Sequence, residues 1–499
     1  MSPATLEAAR SHSLAFDPAN DYADRVEHTS SDSQKAWAET PLKQRLRIVK
    51  GARHRIAANA QAFAAAISPE LSRTAADTIV AEILPLLAAA QFLEQQASDT
   101  LRVRALGRKG LPRWLSGIDS EIHRVPFGRI LVIGPANYPL FLPGVQTLQA
   151  LAAGNAVVWK PGHGGQPVAE LFADAMYVAG LPRHLLRITE DSVEAAEQQL
   201  VAGADKVFFT GSATTGRALL KQLAETLTPC VAELSGSDAV IVLPSADLPR
   251  VVSALAFGMR LNGSATCMAP RRVLLVDATP ERRSELIKIL RSSLNELPPV
   301  PVPAATTQQL KRWLAEAYKD GAVVYGEATT PVMRAVLVTG GTASMAVAQE
   351  DIFAPVLTLI DVRGWHGVEA AQQASPFGLT AAVFGDEREA RRLAATLNVG
   401  SVLINDLIVP TADPRVPFGG RRHSGFGVTR GAEGLLEMTA SKVVAVRRGK
   451  STRHYEATDR RHESLFDGLI LATHGGTLKQ RIDGIRRLIA AAGKLKGKR

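Results

Sequence analysis

Cysteine is scarce in this chain of 499 residues, which contains only Cys230 and Cys267. Two cysteines are too few for a disulfide framework, and such sparing use is typical of proteins that fold in a reducing compartment. Neither cysteine lies in a CxxC pair or in a Cys/His spacing typical of zinc ligands. The sequence therefore predicts neither a disulfide scaffold nor a metal site.

Long apolar runs are also missing from the sequence. No stretch of about 18 consecutive apolar residues occurs, which argues against a transmembrane helix. Residues 1–32 mix Asp, Glu, His and Ser with few apolar residues, so they lack the apolar core of a secretory signal. We therefore expect a cytoplasmic protein whose residues 1–32 form a flexible leader.

Excess positive charge is absent from most of the chain, although the net charge is +10. Residues 445–499 contain 14 Lys/Arg and 5 Asp/Glu, whereas the other 444 residues contain 44 and 43. A nearly neutral main body is not typical of nucleic-acid-binding proteins. Hence no nucleic-acid partner is expected, and the basic C-terminal tail is a separate feature.

The first part of the chain has the pattern of helices. Thr40 and Pro41 resemble an N-cap followed by a proline at the first helical position. Apolar residues then recur with helical spacing to about Leu101, with a break near Ser68 and Pro69. Leu111 to Pro126 is interpreted as a protruding hairpin.

From Gly128 the pattern changes to short apolar runs that alternate with amphipathic helices. A second region of the same kind follows from Asp238 to about Gly400. Such alternation predicts parallel sheets with helices on their faces, and therefore an α/β fold.

Cys267 lies among small residues in the segment RLNGSATCMAPRR, which would let a substrate approach the sulfur closely. A thiol with the ordinary pKa of about 8.5 is only slightly ionised at neutral pH, so a nucleophilic role needs an assisting group. The alternative is a buried structural cysteine, since free cysteine usually packs as a small apolar residue.

Glu233 is a carboxylate within the strand-like run CVAELSGSDAVIVL. Burial among its apolar neighbours would raise the pKa of Glu233 and make it a better base near neutral pH. Ser235 and Gly236 permit a sharp turn directly after it, which suits the corner of an active site. The alternative is a charge on an edge strand or in a loop.

Asn137 directly follows a predicted strand and lies between two prolines in VIGPANYPL. A rigid turn fixes its carboxamide, and one fixed amide donor can stabilise a transition-state oxyanion by about 3 kcal/mol. Plain turn chemistry is the alternative interpretation of this residue.

Lys160 ends the predicted strand AVVWKPG, and Gly211, Ser212 and Gly216 join a strand to a helix in FFTGSATTGR. Strand ends in open α/β sheets form ligand crevices, and a helix N-terminus offers unpaired N–H groups to a phosphate. These positions are therefore candidates for dinucleotide binding. Since many strand-to-helix turns have this pattern, an ordinary turn is the alternative.

In this order, these segments resemble the aldehyde dehydrogenase superfamily. Glu233 and Cys267 are 34 positions apart, as are the base and the nucleophile in the family pattern. The resemblance covers about Ser33 to Val446. It includes AWAETPLKQRLRIVKGA, GPANYPL, AAGNAVVWKPG, FFTGSATTGR, AELSGSDA, NGSATCMAPRR, QEDIFAPV, PFGLTAAVF and PFGGRRHSGFG.

The resemblance implies an aldehyde dehydrogenase-like fold in three parts. A doubly wound cofactor domain would take residues 33–110 and 125–234, and an α/β catalytic domain would take residues 235–427. A small β arm for oligomerisation would combine residues 111–124 with residues 438–447. Family members are typically dimers or tetramers, so a homodimer or homotetramer is expected.

The implied reaction oxidises an aldehyde to a carboxylic acid with NAD or NADP. Cys267 attacks the aldehyde, and the Asn137 amide and the Cys267 backbone N–H hold the oxyanion. Hydride passes to the nicotinamide, and Glu233 activates the water that hydrolyses the thioester, which divides one difficult step into two easier ones. The resemblance implies a set of cofactor-binding residues: Lys160, His163, Gly211, Ser212, Gly216, Leu234, Asp351 and Phe353.

Several positions depart from the family pattern. Ser264 and Ala265 stand where the family usually has Gly-Gln before the nucleophile, so local packing is expected to differ. His163 stands where NAD-selective members carry Glu, and an imidazole would not repel a 2′-phosphate, so NADP is also expected. Asp351 is one methylene shorter than the family's ribose-binding Glu, whereas Phe353 matches the aromatic residue that packs nearby.

Residues 448–499 continue past the resemblance as a basic tail. Leu478, Ile482, Ile485 and Ile489 fall on one face of a predicted helix that is surrounded by Lys and Arg. A basic amphipathic helix can rest on an anionic membrane surface. It can equally pack on a subunit, so peripheral membrane contact and subunit packing both stay open.

Two other functions are compatible with these patterns. An acylating, coenzyme A-dependent aldehyde dehydrogenase or acyl-CoA reductase would form the same thioester, but such relatives generally lack the base that Glu233 supplies. A non-catalytic relative of the fold would act through its basic tail, but the joint presence of Cys267, Glu233 and Asn137 argues against it.

Overall fold

The computed structural model of the chain describes residues 32–448, 453–455 and 457–496. All but the last residue of the leader expected at 1–32 therefore lie outside the described residues. The chain divides into two compact units. The first contains residues 1–103 and 123–442, and the second contains residues 104–122 and 443–499.

Short strands alternate with helices through most of the described chain. The strands are β1 (Arg104–Ala105), β2 (Ile118–Pro126), β3 (Arg129–Ile133), β4 (Ala156–Lys160), β5 (Leu186–Ile188), β6 (Lys206–Gly211), β7 (Cys230–Leu234), β8 (Asp238–Val242), β9 (Pro270–Val276), β10 (Val300–Pro301), β11 (Val323–Tyr325), β12 (Val332–Met333), β13 (Val336–Thr339), β14 (Val356–Val362), β15 (Phe377–Gly378), β16 (Thr380–Phe384), β17 (Ser401–Ile404), β18 (Arg421–Arg422), β19 (Gly425–Phe426) and β20 (Thr439–Arg447).

Residues 32–39 are helical. The helices that follow them are α1 (Leu42–Ala58), α2 (Ala60–Ala65), α3 (Ala75–Thr78), α4 (Leu84–Leu101), α5 (Phe141–Ala153), α6 (Gln166–Val178), α7 (Val193–Val201), α8 (Ala213–Thr226), α9 (Leu248–Arg260), α10 (Pro280–Asn295), α11 (Ala304–Lys319), α12 (Ala346–Gln349), α13 (Gly364–Ala374), α14 (Glu387–Ala394), α15 (Gly431–Glu437), α16 (Arg460–His474) and α17 (Leu478–Lys496).

The first unit opens with helices, as the apolar spacing predicts. Helix α1 begins at Leu42, because Pro41 is the N-cap with φ −52° and ψ 134° and is not the first helical residue. The predicted break is a short 3-10 turn over Pro69–Leu71, and a π-helical turn over Ile79–Ile83 leads into α4. The prediction of helix type was correct, whereas the cap was placed one residue too early.

One segment of the described chain, Ala75–Leu101, is long and apolar enough to cross a membrane by length and composition. The sequence prediction missed it because polar residues such as Glu82 interrupt the apolar run. Leu86, Ala90 and Leu93 of this segment are buried in the core of the first sheet. A core helix of a globular domain passes the same test, so this finding is weak evidence for a membrane span.

The first sheet has the strand order β19-β7-β6-β3-β4-β5. Strands β3 to β7 run parallel, and only β19 is antiparallel to its neighbour. The chain starts at β3, moves outward to β5, and then returns to the other side of β3 for β6 and β7. This is the doubly wound arrangement that the sequence predicts.

Strand β3 shows why this sheet is buried on both faces. Ile130 and Val132 belong to the core that α1, α4 and α5 pack, whereas Leu131 and Ile133 belong to the core that α8 packs. Side chains alternate across a strand. A run of consecutive apolar residues therefore forms a strand with helices on both sides.

The second sheet has the order β11-β13-β14-β9-β8-β16-β17, and all neighbours are parallel except β11 and β13. Helices α9 and α10 pack on one face, and α13 and α14 pack on the other. The α/β fold class is thus confirmed in both regions.

After β17 the chain returns to the first sheet. Gly425 and Phe426 of β19 pair with β7, and Leu435 and Met438 join the core of the first sheet. The sequence assigned residues up to 427 to the second domain. The structure shows that this boundary falls earlier, because β19 already belongs to the first sheet.

The second unit contains a three-stranded sheet with the order β1-β2-β20, together with helices α16 and α17. Strand β1 pairs antiparallel with β2, so the arm begins at Arg104 and not at Leu111 as expected. Helices α16 and α17 approach closely at glycines. A Cβ on Gly468 would lie 2.6 Å from the backbone nitrogen of Leu488.

Candidate active site

Several residues predicted for the site lie at the carboxyl ends of strands in the first sheet. Lys160 is the last residue of β4, Gly211 is the last residue of β6, and Asn137 lies in the loop after β3. The chain leaves the neighbouring strands β3 and β6 in opposite directions along the sheet. In open α/β sheets, ligands bind in the crevice at such a point.

Cys267 and Glu233 come together from the two sheets. Glu233 lies in β7 of the first sheet, whereas Cys267 precedes β9 of the second. The Cys267 Sγ atom donates to Glu233 Oε1 over 4.0 Å. Glu233 is buried, but Cys267 keeps partial exposure. A reachable thiol beside a buried carboxylate is an arrangement that suits covalent catalysis.

Burial raises the pKa of Glu233 from its ordinary value of 4.5 to about 7. The positive charge of Arg430 opposes part of this shift. The Oε2 atom of Glu233 has no hydrogen-bond partner among the described residues. Glu233 is therefore a carboxyl group that can accept a proton near neutral pH, as a general base must.

The pKa of the Cys267 thiol is raised well above its ordinary value, first by burial and then by the negative charges of Glu233, Asp238 and Asp351. Arg430 acts in the opposite direction. A neutral thiol is thus the resting form at neutral pH. The sulfur must lose its proton as it attacks a substrate, and the Glu233 carboxylate is its hydrogen-bond acceptor.

The turn after Glu233 touches the loop of the nucleophile. A Cβ on Gly236 would lie 2.8 Å from the Cys267 carbonyl oxygen, so only glycine permits this close approach. Asp238, two residues on, accepts hydrogen bonds from the backbone N–H and the hydroxyl of Thr380. Burial raises the pKa of Asp238 to about 7.

Asn137 reaches the same loop from the other side. Its Nδ2 atom donates to the carbonyl of Ala265 over 2.9 Å, two residues before Cys267. The Asn262 amide donates to the Ala265 carbonyl over 2.9 Å and to the Asn137 carbonyl over 3.0 Å. A carboxamide has two N–H donors, so Asn137 keeps one for an oxyanion.

Lys160 and His163, which the resemblance assigns to cofactor binding, lie at the end of β4 and in the loop that follows it. Lys160 is buried, and burial lowers its pKa while Asp191 opposes the shift. His163 is exposed, and its ring nitrogens lie 3.8 Å from Glu70 and 4.0 Å from Asp191. A carboxylate therefore lies next to the position that lacks the family's Glu. Asp191 also accepts the Gly164 backbone N–H over 2.6 Å.

Gly211, Ser212, Gly216 and Leu234, which the sequence predicts for cofactor binding, lie together where β6 and β7 end and α8 begins. Ser212 is the N-cap of α8, and its hydroxyl accepts the Thr215 N–H over 3.1 Å. A Cβ on Gly216 would lie 2.8 Å from Leu234 Cδ2. Because Gly216 has no side chain, the first turn of α8 packs directly against Leu234. The unpaired N–H groups at this helix N-terminus could bind a dinucleotide phosphate.

Asp351 and Phe353 lie just before β14 of the second sheet. The negative charge of Asp351 is one of the causes of the raised pKa of Cys267. Its buried Oδ1 atom has no hydrogen-bond partner among the described residues, so it fits a ligand hydroxyl such as that of a ribose. Phe353 is 37% exposed and offers an apolar surface.

The structure adds charged residues that the sequence analysis missed. Arg430 is buried and lies over the Phe418 ring, 4.4 Å from its centre, and Arg73 is buried against Glu82. An isolated arginine that lies outside the motifs cannot be recognised as a functional residue from one sequence. Only the fold brings these side chains to Cys267, Glu233 and the loop that contains Asn137.

Among residues 32–448, 453–455 and 457–496 no group of three or more His, Cys, Asp or Glu is arranged to hold a metal ion.

Comparison with known proteins gives a consistent family. The profile of the aldehyde dehydrogenase family matches residues 13–444, so the match begins inside the segment assigned to a leader. The chain is similar to the 4,4′-diapolycopene aldehyde oxidase of Methylomonas sp., with 29% identity over 81% of this chain and 77% of the relative. It is also similar to the vanillin dehydrogenase of Pseudomonas fluorescens, with 30% identity over 74% of this chain and 78% of the relative.

The fold is also similar to solved structures. An aldehyde dehydrogenase from Mycobacterium tuberculosis, solved in complex with NAD+, aligns with a TM-score of 0.77 and 24% identity. The alignment covers 86% of this chain and 92% of that protein. At this identity the likeness shows the fold alone.

Proposed function

The chain belongs to the aldehyde dehydrogenase family and is an NAD(P)-dependent enzyme that oxidises aldehydes to carboxylic acids, and we propose that Cys267, Glu233 and Asn137 carry this reaction. The observation that supports the proposal most directly is the 4.0 Å contact between the Cys267 sulfur and a buried carboxylate. The Asn137 amide is hydrogen-bonded to the same loop.

In the first half of the reaction the Cys267 sulfur bonds to the aldehyde carbon, and the thiol proton passes to Glu233. The carbonyl oxygen becomes an oxyanion, which accepts hydrogen bonds from the Asn137 amide and the Cys267 backbone N–H. A bound nicotinamide would supply the hydride acceptor for this carbon. The oxygen re-forms its carbonyl, and an acyl group stays on Cys267 as a thioester.

In the second half Glu233, after releasing its first proton to solvent, takes a proton from water. The resulting hydroxide bonds to the thioester carbon, and the carbon–sulfur bond breaks. The carboxylic acid leaves and the Glu233 proton returns to the Cys267 sulfur, so one aldehyde and one water yield one acid, one hydride and one proton. The buried carboxylate with a pKa of about 7 supports hydrolysis over acyl transfer to coenzyme A, because acylating relatives generally lack this base.

Replacing the nucleophile tests the proposal. In Cys267→Ala we expect NAD(P)-linked oxidation of vanillin to fall to background, because no covalent intermediate forms, while NAD+ still binds in fluorescence titration. Cys230→Ala is the matched control, since Cys230 lies at the opposite end of β7 from Glu233. Retained turnover in Cys267→Ala would remove the covalent mechanism.

The cofactor proposal is that Lys160, His163 and the turn from Gly211 to Gly216 hold NAD or NADP, and that both are accepted. His163 supplies no negative charge against a 2′-phosphate. Asp191 supplies a carboxylate 4.0 Å from the imidazole, so NAD is expected to bind more tightly than NADP. Asp351 and Phe353 would contact the nicotinamide half.

For substrates we propose conjugated aldehydes. Two relatives are named for vanillin and for 4,4′-diapolycopene aldehyde, and both names denote aldehydes attached to conjugated carbon. These names support the choice of assay substrate for the variants.

The second unit supports a proposal about assembly. Strand β20 is at the edge of its sheet, and Val443 on it is 64% exposed. An exposed edge strand is a template for pairing with another chain. We therefore propose a homodimer or homotetramer in which the arm pairs with a neighbouring subunit.

We propose that the protein is cytoplasmic and that its helix α17 contacts an anionic lipid surface. Its exposed apolar face consists of Leu478, Ile482, Ile485 and Ile489, with exposures of 75, 41, 47 and 66%. Gly484, Leu488 and Ala491 lie on the face towards α16 and are more buried. The exposed face is flanked by basic side chains, and this charge complements anionic headgroups.

A further inference from the structure

A buried ion pair connects the N-terminal helices to the candidate active site. Arg73 Nη1 lies 2.6 Å from Glu82 Oε1, and the two side chains are 3% and 0% exposed. Arg73 precedes α3, whereas Glu82 lies in the π-helical turn that leads into α4. Such turns are frequent at functional sites.

The remaining nitrogens of Arg73 bind the two loops that form the site. Its Nε atom donates to Asn262 Oδ1 over 2.6 Å, and Nη2 donates to the carbonyl of Asn137. The planar guanidinium has donors in a fixed fork. Arg73 therefore sets the distance between the loop after β3 and the loop that contains Cys267.

Asn262 completes this bridge. Its amide donates to the carbonyls of Asn137 and Ala265 over 3.0 and 2.9 Å, and Asn137 donates to the same Ala265 carbonyl. Asn262 has a left-handed φ of 54°, an unfavourable conformation that surrounding contacts must hold. The Arg73 contact to its side chain supplies one of them.

Glu82 holds the far end of the same loop. Its Oε2 atom accepts the backbone N–H groups of Leu140 and Phe141 over 3.2 and 2.7 Å. These residues are at the start of α5, where a negative charge is favourable. The carboxylate and the guanidinium thus fix both ends of the short segment that carries Asn137.

We propose that the Arg73–Glu82 pair is a positioning device that holds the Asn137 amide at the oxyanion of the Cys267 adduct. The hydrogen bonds of the pair go to the two loops and not to the Cys267 sulfur, so the pair acts through Asn137. The inference rests on the proposed function, because it assigns a purpose to the geometry of that same site.

The test is a double-mutant cycle on the acylation step. NADH formation in single turnovers is measured for Arg73→Met/Glu82→Gln, which removes both charges together, with Asn137 present and in Asn137→Ala. We expect the rate of NADH formation to fall by about 10- to 100-fold when Asn137 is present. In Asn137→Ala we expect the same rate to fall by less than about threefold. An equal fall in rate in both backgrounds, or an unchanged rate with Asn137 present, would overturn the proposal.

A second ion pair among the N-terminal helices, between α1 and α4, serves as the control. Arg53 and Glu94 are 2.6 Å apart and are 20% and 15% exposed, and neither binds the active-site loops. Arg53→Met/Glu94→Gln is expected to change acylation by less than about twofold. If it slows acylation as much as the Arg73 pair, the effect belongs to general stability and the proposal is wrong.

A second variant keeps the proposal testable if the first does not fold. Asn262→Ala removes the amide bridge and leaves the ion pair, and the same dependence on Asn137 is expected; a loss independent of Asn137 would contradict it. The proposed function fails separately, since turnover in Cys267→Ala removes the covalent mechanism itself. If the acylation rate falls equally with and without Asn137 while the acyl intermediate on Cys267 forms normally, only the positioning role is contradicted.

Discussion

Single side chains determine the protonation states in the candidate site. Burial raises the pKa values of both Cys267 and Glu233, and Arg430 lowers both. Of these two groups, Glu233 has the pKa nearer to neutrality, at about 7. It is therefore the one of the two whose charge changes over the physiological pH range.

Glu233→Gln is expected to slow hydrolysis of the acyl-enzyme by about 100-fold or more, because the amide cannot take a proton from water. Thioester on Cys267 should accumulate in quenched samples measured by mass spectrometry. In the unsubstituted enzyme hydrolysis should rise with pH up to about 7 and then level off, since only the ionised carboxylate is a base. Glu170→Gln, an exposed change of the same kind, is the control. Absence of the thioester in samples in which NADH has formed would assign the base of hydrolysis to another group.

At the scale of elements, the site depends on strand ends and on the turns that follow them. Two parallel strands of the first sheet place Lys160 and Gly211 at one edge, and the loop with Asp191 follows β5 of the same sheet. The sequence motifs identified these turns because glycine, proline and strand-like runs mark them. They did not identify Asp191, because its proximity to His163 depends on the order of the strands.

Asp191→Asn is expected to narrow the preference for NAD over NADP. The substitution removes a negative charge near the 2′-position, so the ratio of the two dissociation constants should move towards NADP by about tenfold, or about 1.4 kcal/mol. Fluorescence titration with both cofactors measures the ratio without turnover. The exposed neighbour Glu190→Gln is the control. A ratio unchanged in Asp191→Asn would show that Asp191 does not face the ribose.

At the scale of the whole molecule, the second unit contains the three-stranded sheet and helices α16 and α17. The sequence separated the part of the chain that carries these two helices from the main body by its excess of basic residues. The exposed apolar residues on α17 do not serve the chemistry described above. We therefore expect substitutions on this face to change the proposed lipid contact without changing turnover.

The double variant Ile482→Gln/Ile485→Gln is expected to reduce sedimentation with phosphatidylserine vesicles by about tenfold, because it removes two apolar side chains that would be buried in the lipid. Oxidation of vanillin should stay within about twofold. Val201→Gln changes a residue that is 90% exposed on α7 and serves as the control. Equal sedimentation of all three proteins, with a smaller oligomer in the double variant, would assign the face to subunit packing.

Much of this architecture was predictable from the chain alone. Helical spacing in the first hundred residues, apolar runs such as RILVIG and the break at Ser68 and Pro69 are local patterns, and local patterns determine element type. The hairpin starts at Arg104 rather than Leu111 because pairing with β2 depends on the partner strand. Similarly, β19 joins the first sheet because its partner β7 is nearly 200 residues away.

By itself the sequence determined the α/β class, the family, and the residue types that are able to perform the reaction. Only the tertiary structure decided which distant groups meet. The 4.0 Å contact of Cys267 with Glu233 and the bridge from Arg73 to Asn262 and Asn137 join segments far apart in the chain. Such contacts depend on strand order and packing, which spacing along one chain does not encode.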